Sequence, residues 1–283
     1  MNRHANRGGV LARVAIAIIL AACSTASSPA SATTAPGPSS ASSASPVEGA
    51  ELSLLGAASL KDALAAIKAA YEQAVPGAKL TVATDASSTL RTQIEQGAPG
   101  DVFLSADQKN PSALVDAGLA DGDVTDFAGN ALVIIVPSDN PARLTGPIHL
   151  ARPGLKVVAA GDDVPISGYA RQVVTKLAGL PGYPADFAAA YAANVVSKED
   201  NVKAVVTKIE LGEGDAAIVY RTDALASSNV QAIELPDKAS VSATYAGVVL
   251  KASKHLAAGH AFLEWLTGSE GAAILARFGF VAP

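Results

Sequence analysis

The sequence holds a single cysteine, Cys23, in 283 residues, so an intrachain disulfide is excluded. Aromatic residues make up only 5% of the chain, and any core must be mainly aliphatic. Histidines are equally scarce: His4, His149, His255 and His260. His255 and His260 are spaced poorly for two ligands on one helical face, and no metal site is expected. The chain has no Gly-x-Ser-x-Gly elbow and no Gly-x-x-x-x-Gly-Lys phosphate loop. No nucleophile comes with its base, so the chain is not expected to be an enzyme or to carry a cofactor. Asp162-Asp163 and Glu199-Asp200 read as solvated loop ends and a helix cap rather than acid pairs. Net charge is −5, which argues against a nucleic-acid partner. Beyond the first residues no apolar run approaches membrane-span length.

What is present begins with an address. Arg3, Arg7 and Arg13 precede an apolar run from Val14 to Ala22, and Leu20-Ala21-Ala22 leads to Cys23. A basic start, a short apolar core and small residues before the cut describe an export signal over residues 1–23. Leu-Ala-Ala-Cys resembles a bacterial lipobox, in which Cys23 becomes the lipidated first residue. Residues 24–50 are Ser, Ala, Thr and Pro with almost no large apolar side chain, too little to offset the entropy of ordering. They read as a disordered tether with a reach of about 30 Å. The folded part is thus expected on the extracytoplasmic face of a cell membrane, held by a lipid anchor.

The remaining residues are enough for one large domain or two lobes with real cores. Leu52 to Gly56 reads as a buried strand, and Leu60, Leu64, Ile67 and Tyr71 form the stripe of a helix capped by Ser59. Leu80 to Ala83 is a second strand. Ser87-Ser88-Thr89 stand where N-cap residues belong, ahead of Leu90 and Ile94, and Gly97 ends that helix. Val102 to Leu104 is a strand, Pro111 to Ala117 a helix, and Ala131 to Val136 a strand. A second series follows: a strand from Lys156 to Ala160, a loop from Gly161 to Gly168, and a helix from Tyr169 to Leu177. Then come a short strand from Asn194 to Val196, a helix from Val202 capped by Asp200 or Asn201, and strands at Ala216 to Tyr220, Val230 to Leu235 and Tyr245 to Leu250. Ala261 to Leu266 lies in a helix, and Phe278-Gly279-Phe280 closes the core. The alternation predicts a mostly parallel α/β sheet, with ligand loops at the carboxyl ends of its strands. Ser59, Ser87, Ile166 and Val202 each fall just after a predicted strand, and Tyr220 closes another. Free N–H groups at helix starts with hydroxyls beside them suit an anion. Lys61, Arg91 and Lys203 stand close by and either steer that anion or are solvated.

Several motifs together carry a family resemblance. They are Ala57-Ala58-Ser59-Leu60; Ser87-Ser88-Thr89-Leu90 with Gln93-Ile94-Glu95-x-Gly97-Ala98-Pro99-x-Asp101-Val102-Phe103; and Ser105-Ala106-Asp107. Gly129-Asn130-x-Leu132-Val133, Val164-Pro165, Tyr169-Ala170, Glu199-Asp200-Asn201-Val202, Ile218-Val219-Tyr220 and Phe278-Gly279-Phe280 continue it. From Leu52 to Pro283 the chain resembles the periplasmic molybdate-binding proteins of bacterial ABC importers.

The resemblance implies a type II periplasmic-binding-protein fold: two α/β lobes joined by a two-crossing hinge, with the ligand cleft between them. Lobe 1 is expected over 51–134 plus 231–283 and lobe 2 over 135–230. It implies a site for molybdate, and for tungstate, with Ser59 and Ser87 giving hydroxyls and N–H groups, Ile166 and Val202 giving backbone N–H groups, and Tyr220 its phenol. It also implies delivery to an ABC importer, a membrane permease with its ATPase, by a monomer. Asp85-Ala86 departs from the apolar and hydroxyl residues usual in the family, and Asp85 is expected to point away from the anion. Val164-Pro165-Ile166-Ser167-Gly168 departs from the usual Val-Pro-Ala-Gly, which leaves Ser167 as a competitor of Ile166. Two other readings remain: a receptor for sulfate or another small oxyanion, and an exported serine hydrolase using Ser59 or Ser87.

Overall fold

A computed structural model describes residues 50–283. The expected leader, Cys23 and the tether through residue 49 lie outside the described residues. The chain runs through β1 (Glu51–Ala57), a 3-10 turn (Ala58–Leu60), α1 (Lys61–Ala74), β2 (Lys79–Asp85), α2 (Ser87–Glu95), β3 (Val102–Ser105), α3 (Lys109–Asp116) and β4 (Ala120–Pro137). After a 3-10 turn at Pro147–Ala151 come β5 (Val157–Ala160), α4 (Pro165–Ala178), α5 (Phe187–Ala193), β6 (Val195–Glu199), α6 (Val202–Glu210), β7 (Ala217–Tyr220), α7 (Arg221–Leu225) and β8 (Val230–Ile233). A 3-10 turn at Asp237–Ala239, then β9 (Ser242–Leu250), α8 (Leu256–Thr267) and α9 (Ser269–Arg277), complete it.

The sheet order is β2-β1-β3-β9-β4-β7, with β8 also on β4; β5 and β6 form a parallel pair that meets β7's side through a Val157–Ala216 bridge. The expected mostly parallel sheet is instead mixed. β1 pairs in parallel with β2 and β3, whereas β9 runs antiparallel to β3 and β4, and β7 and β8 run antiparallel to β4. Parallel pairing holds where a crossover helix intervenes, as α1 does between β1 and β2. The late strands β8 and β9 need no such crossover.

β4 spans 18 residues, far beyond the predicted Ala131 to Val136. Its first part, Ala120 to Ala131, pairs with β9, and from Leu132 onward it pairs with β7. The early part escaped notice because Asp121, Asp123 and Asp126 break the apolar run, and the ladder there is interrupted by register shifts between Asp121 and Thr125 and between Asp126 and Ala128. Such bulges turn acidic side chains outward while keeping the strand paired. Ala128, Val133, Ile135 and Val136 are fully buried.

Helix α1 buries Leu64, Ile67 and Tyr71 as its spacing predicts. The Tyr71 ring meets Phe262 and Trp265 edge-on at 5.1 and 5.2 Å, which packs α8 against α1. α4 starts at Pro165, four residues before the predicted start at Tyr169. Proline at the first helical position explains the difference: its fixed φ suits the helix, and the N–H it lacks would have had no intrahelical acceptor. Gly97 ends α2 at φ +90°, a conformation that favours glycine. Gly129 lets the C-terminal tail dock: its N–H donates to Val281 O at 2.7 Å, and its O accepts from the Val281 N–H at 2.9 Å. Phe280 then sits 3% exposed in the core, as expected.

Candidate functional site

Five βα junctions and the end of β7 converge on one small pocket. Ser59, Ser87, Ile166, Val202 and Tyr220 all line it, with Ala57, Ala58, Ala86, Ala106, Val164 and Pro165. The sequence-predicted site residues are therefore brought together. None of the lining residues is charged.

Each junction delivers its residue for a local reason. Ser59 lies within the 3-10 turn after β1 and does not cap α1. Its hydroxyl is engaged elsewhere: Ser59 Oγ is 2.8 Å from the Tyr245 phenol. Ser87 is likewise the first residue of α2 rather than its cap. Its Oγ accepts the Ala106 N–H at 3.0 Å, tying α2 to the end of β3, and its own hydroxyl proton remains free to donate. Ile166 is the second residue of α4 and Val202 the first of α6, so their N–H groups have no intrahelical acceptor. Ser167 does not share that place. Its hydroxyl donates to Ala160 O at 2.8 Å, back along the strand that precedes α4. Asn201 is the true cap of α6, accepting the Ala204 N–H at 3.1 Å.

Tyr220 is 1% exposed, and its hydroxyl has no hydrogen-bond partner in the protein. Burial pushes its pKa well above the ordinary phenol value, and the neighbouring Tyr245 and Tyr169 add to the effect. Tyr245 is pushed well above that value too, chiefly by burial. Both phenols are therefore protonated at neutral pH and able to donate. The rings stack edge-on in a row, Tyr169 to Tyr220 at 6.3 Å and Tyr220 to Tyr245 at 5.5 Å.

Behind Ser59 lies a polar layer that sequence reasoning missed. Asn130 Nδ2 donates to Thr222 Oγ1 at 2.9 Å and to the Tyr245 oxygen at 3.3 Å. Either hydroxyl can donate in the Ser59–Tyr245 contact; with Tyr245 as the donor, the Ser59 proton is left for the pocket. Asn130 was visible only as part of Gly129-Asn130-x-Leu132-Val133, and Tyr245 only as a strand start; nothing local links either to Ser59.

Asp85, Lys203 and Arg91 each have a partner in the protein. Asp85 does not line the pocket; its Oδ1 accepts the Ala86 N–H at 2.7 Å and Asn201 Nδ2 at 3.0 Å. Lys203 lies 3.0 Å from Asp62 and 3.4 Å from Asp223. Arg91 is 3.4 Å from Glu95, within its own helix. Burial pushes Asp223 up to about 6, although the Lys203 ammonium pulls the other way. Desolvation lowers Lys203, but Asp223 and Asp62 outweigh it and its pKa is raised. The candidate acid pairs hold lysines instead: Lys198 keeps Asp162 below its usual value, and Glu199 is 3.3 Å from Lys208. Among the described residues, no group of three or more His, Cys, Asp or Glu is placed to hold a metal ion. No helix among them is long and apolar enough to cross a membrane.

Comparison with known proteins gives consistent results. Residues 52–281 match the family model described as bacterial extracellular solute-binding protein. The chain is 34% identical over 242 residues to the molybdate-binding protein ModA of Mycobacterium tuberculosis, covering 85% of this chain and 88% of the relative. It is similar to a solved substrate-binding domain assigned to a molybdenum ABC transporter of Clostridium difficile, at 32% identity and TM-score 0.62, over 82% of this chain and 99% of that one. The sulfate-binding protein SubI of Mycobacterium tuberculosis shares the fold at 21% identity and TM-score 0.72, over 81% of this chain and 86% of that one.

Proposed function

Because the chain belongs to the bacterial extracellular solute-binding protein family, we propose that it captures molybdate outside the cytoplasm and delivers it to an ABC importer. Its fold is the type II periplasmic-binding-protein fold, and the family's members bind solutes rather than transform them. The observation that carries the reading is the Tyr220 hydroxyl: buried, protonated, and without a protein partner at the wall of an uncharged pocket. A buried hydroxyl left unpaired costs about 1–3 kcal/mol, and an acceptor entering the pocket removes that cost.

Molybdate is a fully ionised tetrahedral dianion at neutral pH and can only accept hydrogen bonds. The pocket offers hydroxyls of Ser59, Ser87 and Tyr220 and N–H groups of Ile166 and Val202, and no carboxylate. Monohydrogen phosphate carries a proton that needs an acceptor, which this lining does not supply. Helices α2, α4 and α6 begin at the pocket wall and add favourable dipoles. Tungstate presents the same charge and shape and belongs to the proposal.

The reading includes two lobes, 51–134 plus 231–283 and 135–230, closing over the anion. The change of β4 from β9 to β7 at Ala131 and Leu132 supports this division. It also includes a lipid on Cys23 and action as a monomer. Mass measurement of the mature N-terminus, and loss of membrane association in Cys23→Ser, test the anchor.

Calorimetric titration of the purified protein with molybdate, tungstate, sulfate and phosphate tests the ligand. Molybdate and tungstate are expected to bind with submicromolar affinity and phosphate not to bind. Sulfate binding more tightly than molybdate would make this a sulfate receptor, and silence toward every oxyanion would end the proposal.

A further inference from the structure

Val202 is flanked by two residues that reach to the early part of the chain. On one side, Asn201 joins two elements with one amide. Its Oδ1 accepts the Ala204 N–H at 3.1 Å and its Nδ2 donates to Asp85 Oδ1 at 3.0 Å. A backbone N–H can only donate and a carboxylate can only accept, so both bonds demand the same amide orientation. Asp85 is itself steadied by the Ala86 N–H at 2.7 Å, at the junction that leads into Ser87. On the other side, Lys203 Nζ lies 3.0 Å from Asp62 Oδ2, in the first turn of α1 just after Ser59. Asp223, fully buried beneath it at 3.4 Å, gives Lys203 a second anion.

We propose that Asp85, Asn201, Lys203 and Asp62 are positioning residues that pin the first turn of α6 to the β1–α1 and β2–α2 junctions, holding Val202 on the bound oxyanion and setting how fast the anion leaves. The inference rests on the pocket being the molybdate site. None of the four residues lines that pocket; they act through the helix start they hold. The pins join the walls that carry Ser59 and Ser87 to the wall that carries Val202, so the anion cannot escape between these walls without breaking them. The Asp85 charge is directed to two N–H donors rather than to the dianion.

Release of sodium molybdate from the full-length protein, followed by stopped flow, tests the proposal. Asn201→Asp keeps an oxygen to cap α6 but sets two carboxylates face to face. It is expected to speed release about tenfold or more, with the association rate changed by less than about threefold. Adding Asp85→Asn in that background removes the like-charge repulsion, while the Ala86 N–H keeps the side-chain oxygen at its place, and is expected to slow release at least about threefold relative to Asn201→Asp. Asp62→Asn leaves Lys203 with Asp223 alone and is expected to speed release about two- to fivefold. A merely structural role for these residues would lower the melting temperature of the ligand-free protein and leave the release rate at the parental value. Release at the parental rate in Asn201→Asp, or no recovery in the double variant, overturns the proposal. Should Asn201→Asp fail to fold, unchanged release in Asp62→Asn overturns it instead. A parent protein that binds no molybdate removes the reading of the pocket, and this inference with it; a parent that binds while the variants release normally removes the inference alone.

Discussion

Ser59 Oγ and the Tyr245 phenol oxygen lie 2.8 Å apart although 186 residues separate them in the chain. The contact links the 3-10 turn after β1 to β9, and Asn130 stands behind it as a further donor. Tyr245→Phe removes the group that orients the Ser59 hydroxyl while leaving the ring contacts with Tyr220 and Phe280 in place. Molybdate affinity is expected to fall about three- to tenfold, the equivalent of one ordinary hydrogen bond. Titration of the variant checks it, and affinity equal to the parent's would show that Ser59 needs no orienting partner.

Tyr220→Phe is expected to give effects of opposite sign in the two states. The hydroxyl has no protein partner, so the ligand-free variant should melt at the parental temperature or higher. The same change removes a donor to a charged ligand and should weaken molybdate binding about tenfold or more. A variant that loses stability without ligand and keeps full affinity would take Tyr220 out of the site.

Asp223 makes stability depend on pH. Its carboxyl titrates near 6 in the folded protein against an ordinary 3.8. Between those values the folded protein holds a proton that the unfolded chain has released, so stability falls as the pH rises through this window. The loss is complete above about pH 6 and amounts to about 2–3 kcal/mol. Asp223→Asn lacks this slope. The difference in melting temperature between variant and parent should move in the variant's favour by several degrees from pH 4 to pH 7.5. A constant difference would mean that Lys203 fully compensates the buried charge.

Gly129→Ala tests the docking of the C-terminal tail. An added Cβ would stand 2.7 Å from Ala282 O and 2.9 Å from a Val281 methyl. The tail must shift, and a loss of about 1–3 kcal/mol is expected by denaturant unfolding. Deleting the last three residues in the variant should restore part of that loss if the clash is the cause.

Much of this was legible in the sequence, and the boundary has a physical basis. Residues at helix starts could be found because strand, turn and amphipathic stripe each leave a local pattern: Ser87 before Leu90 and Ile94, or Asn201 before Val202 and Val205. What those side chains do was not legible. Ser59 and Ser87 read as caps, the commonest use of serine before a helix, but each oxygen meets a partner outside its own helix, the Tyr245 phenol and the Ala106 N–H. Pairing direction was missed for the same reason. The order β3-β9-β4 depends on a strand that arrives late in the chain, and no local pattern reports which strand it will lie beside. α5, α7 and α9 are not among the predicted elements: α5 is an alanine-rich stretch with little periodicity, α7 is only five residues long, and α9 follows α8 directly across Gly268.

The place of β9 has a consequence for how the molecule is made. It is a central strand, hydrogen-bonded on both edges, to β3 and to β4. Until Ser242–Leu250 has been synthesised, those two strands face one another across a gap, each with a bare row of amides. The chain ahead of Ser242 therefore has no finished sheet to settle into, and a product cut short there should be an aggregating fragment rather than a smaller working protein.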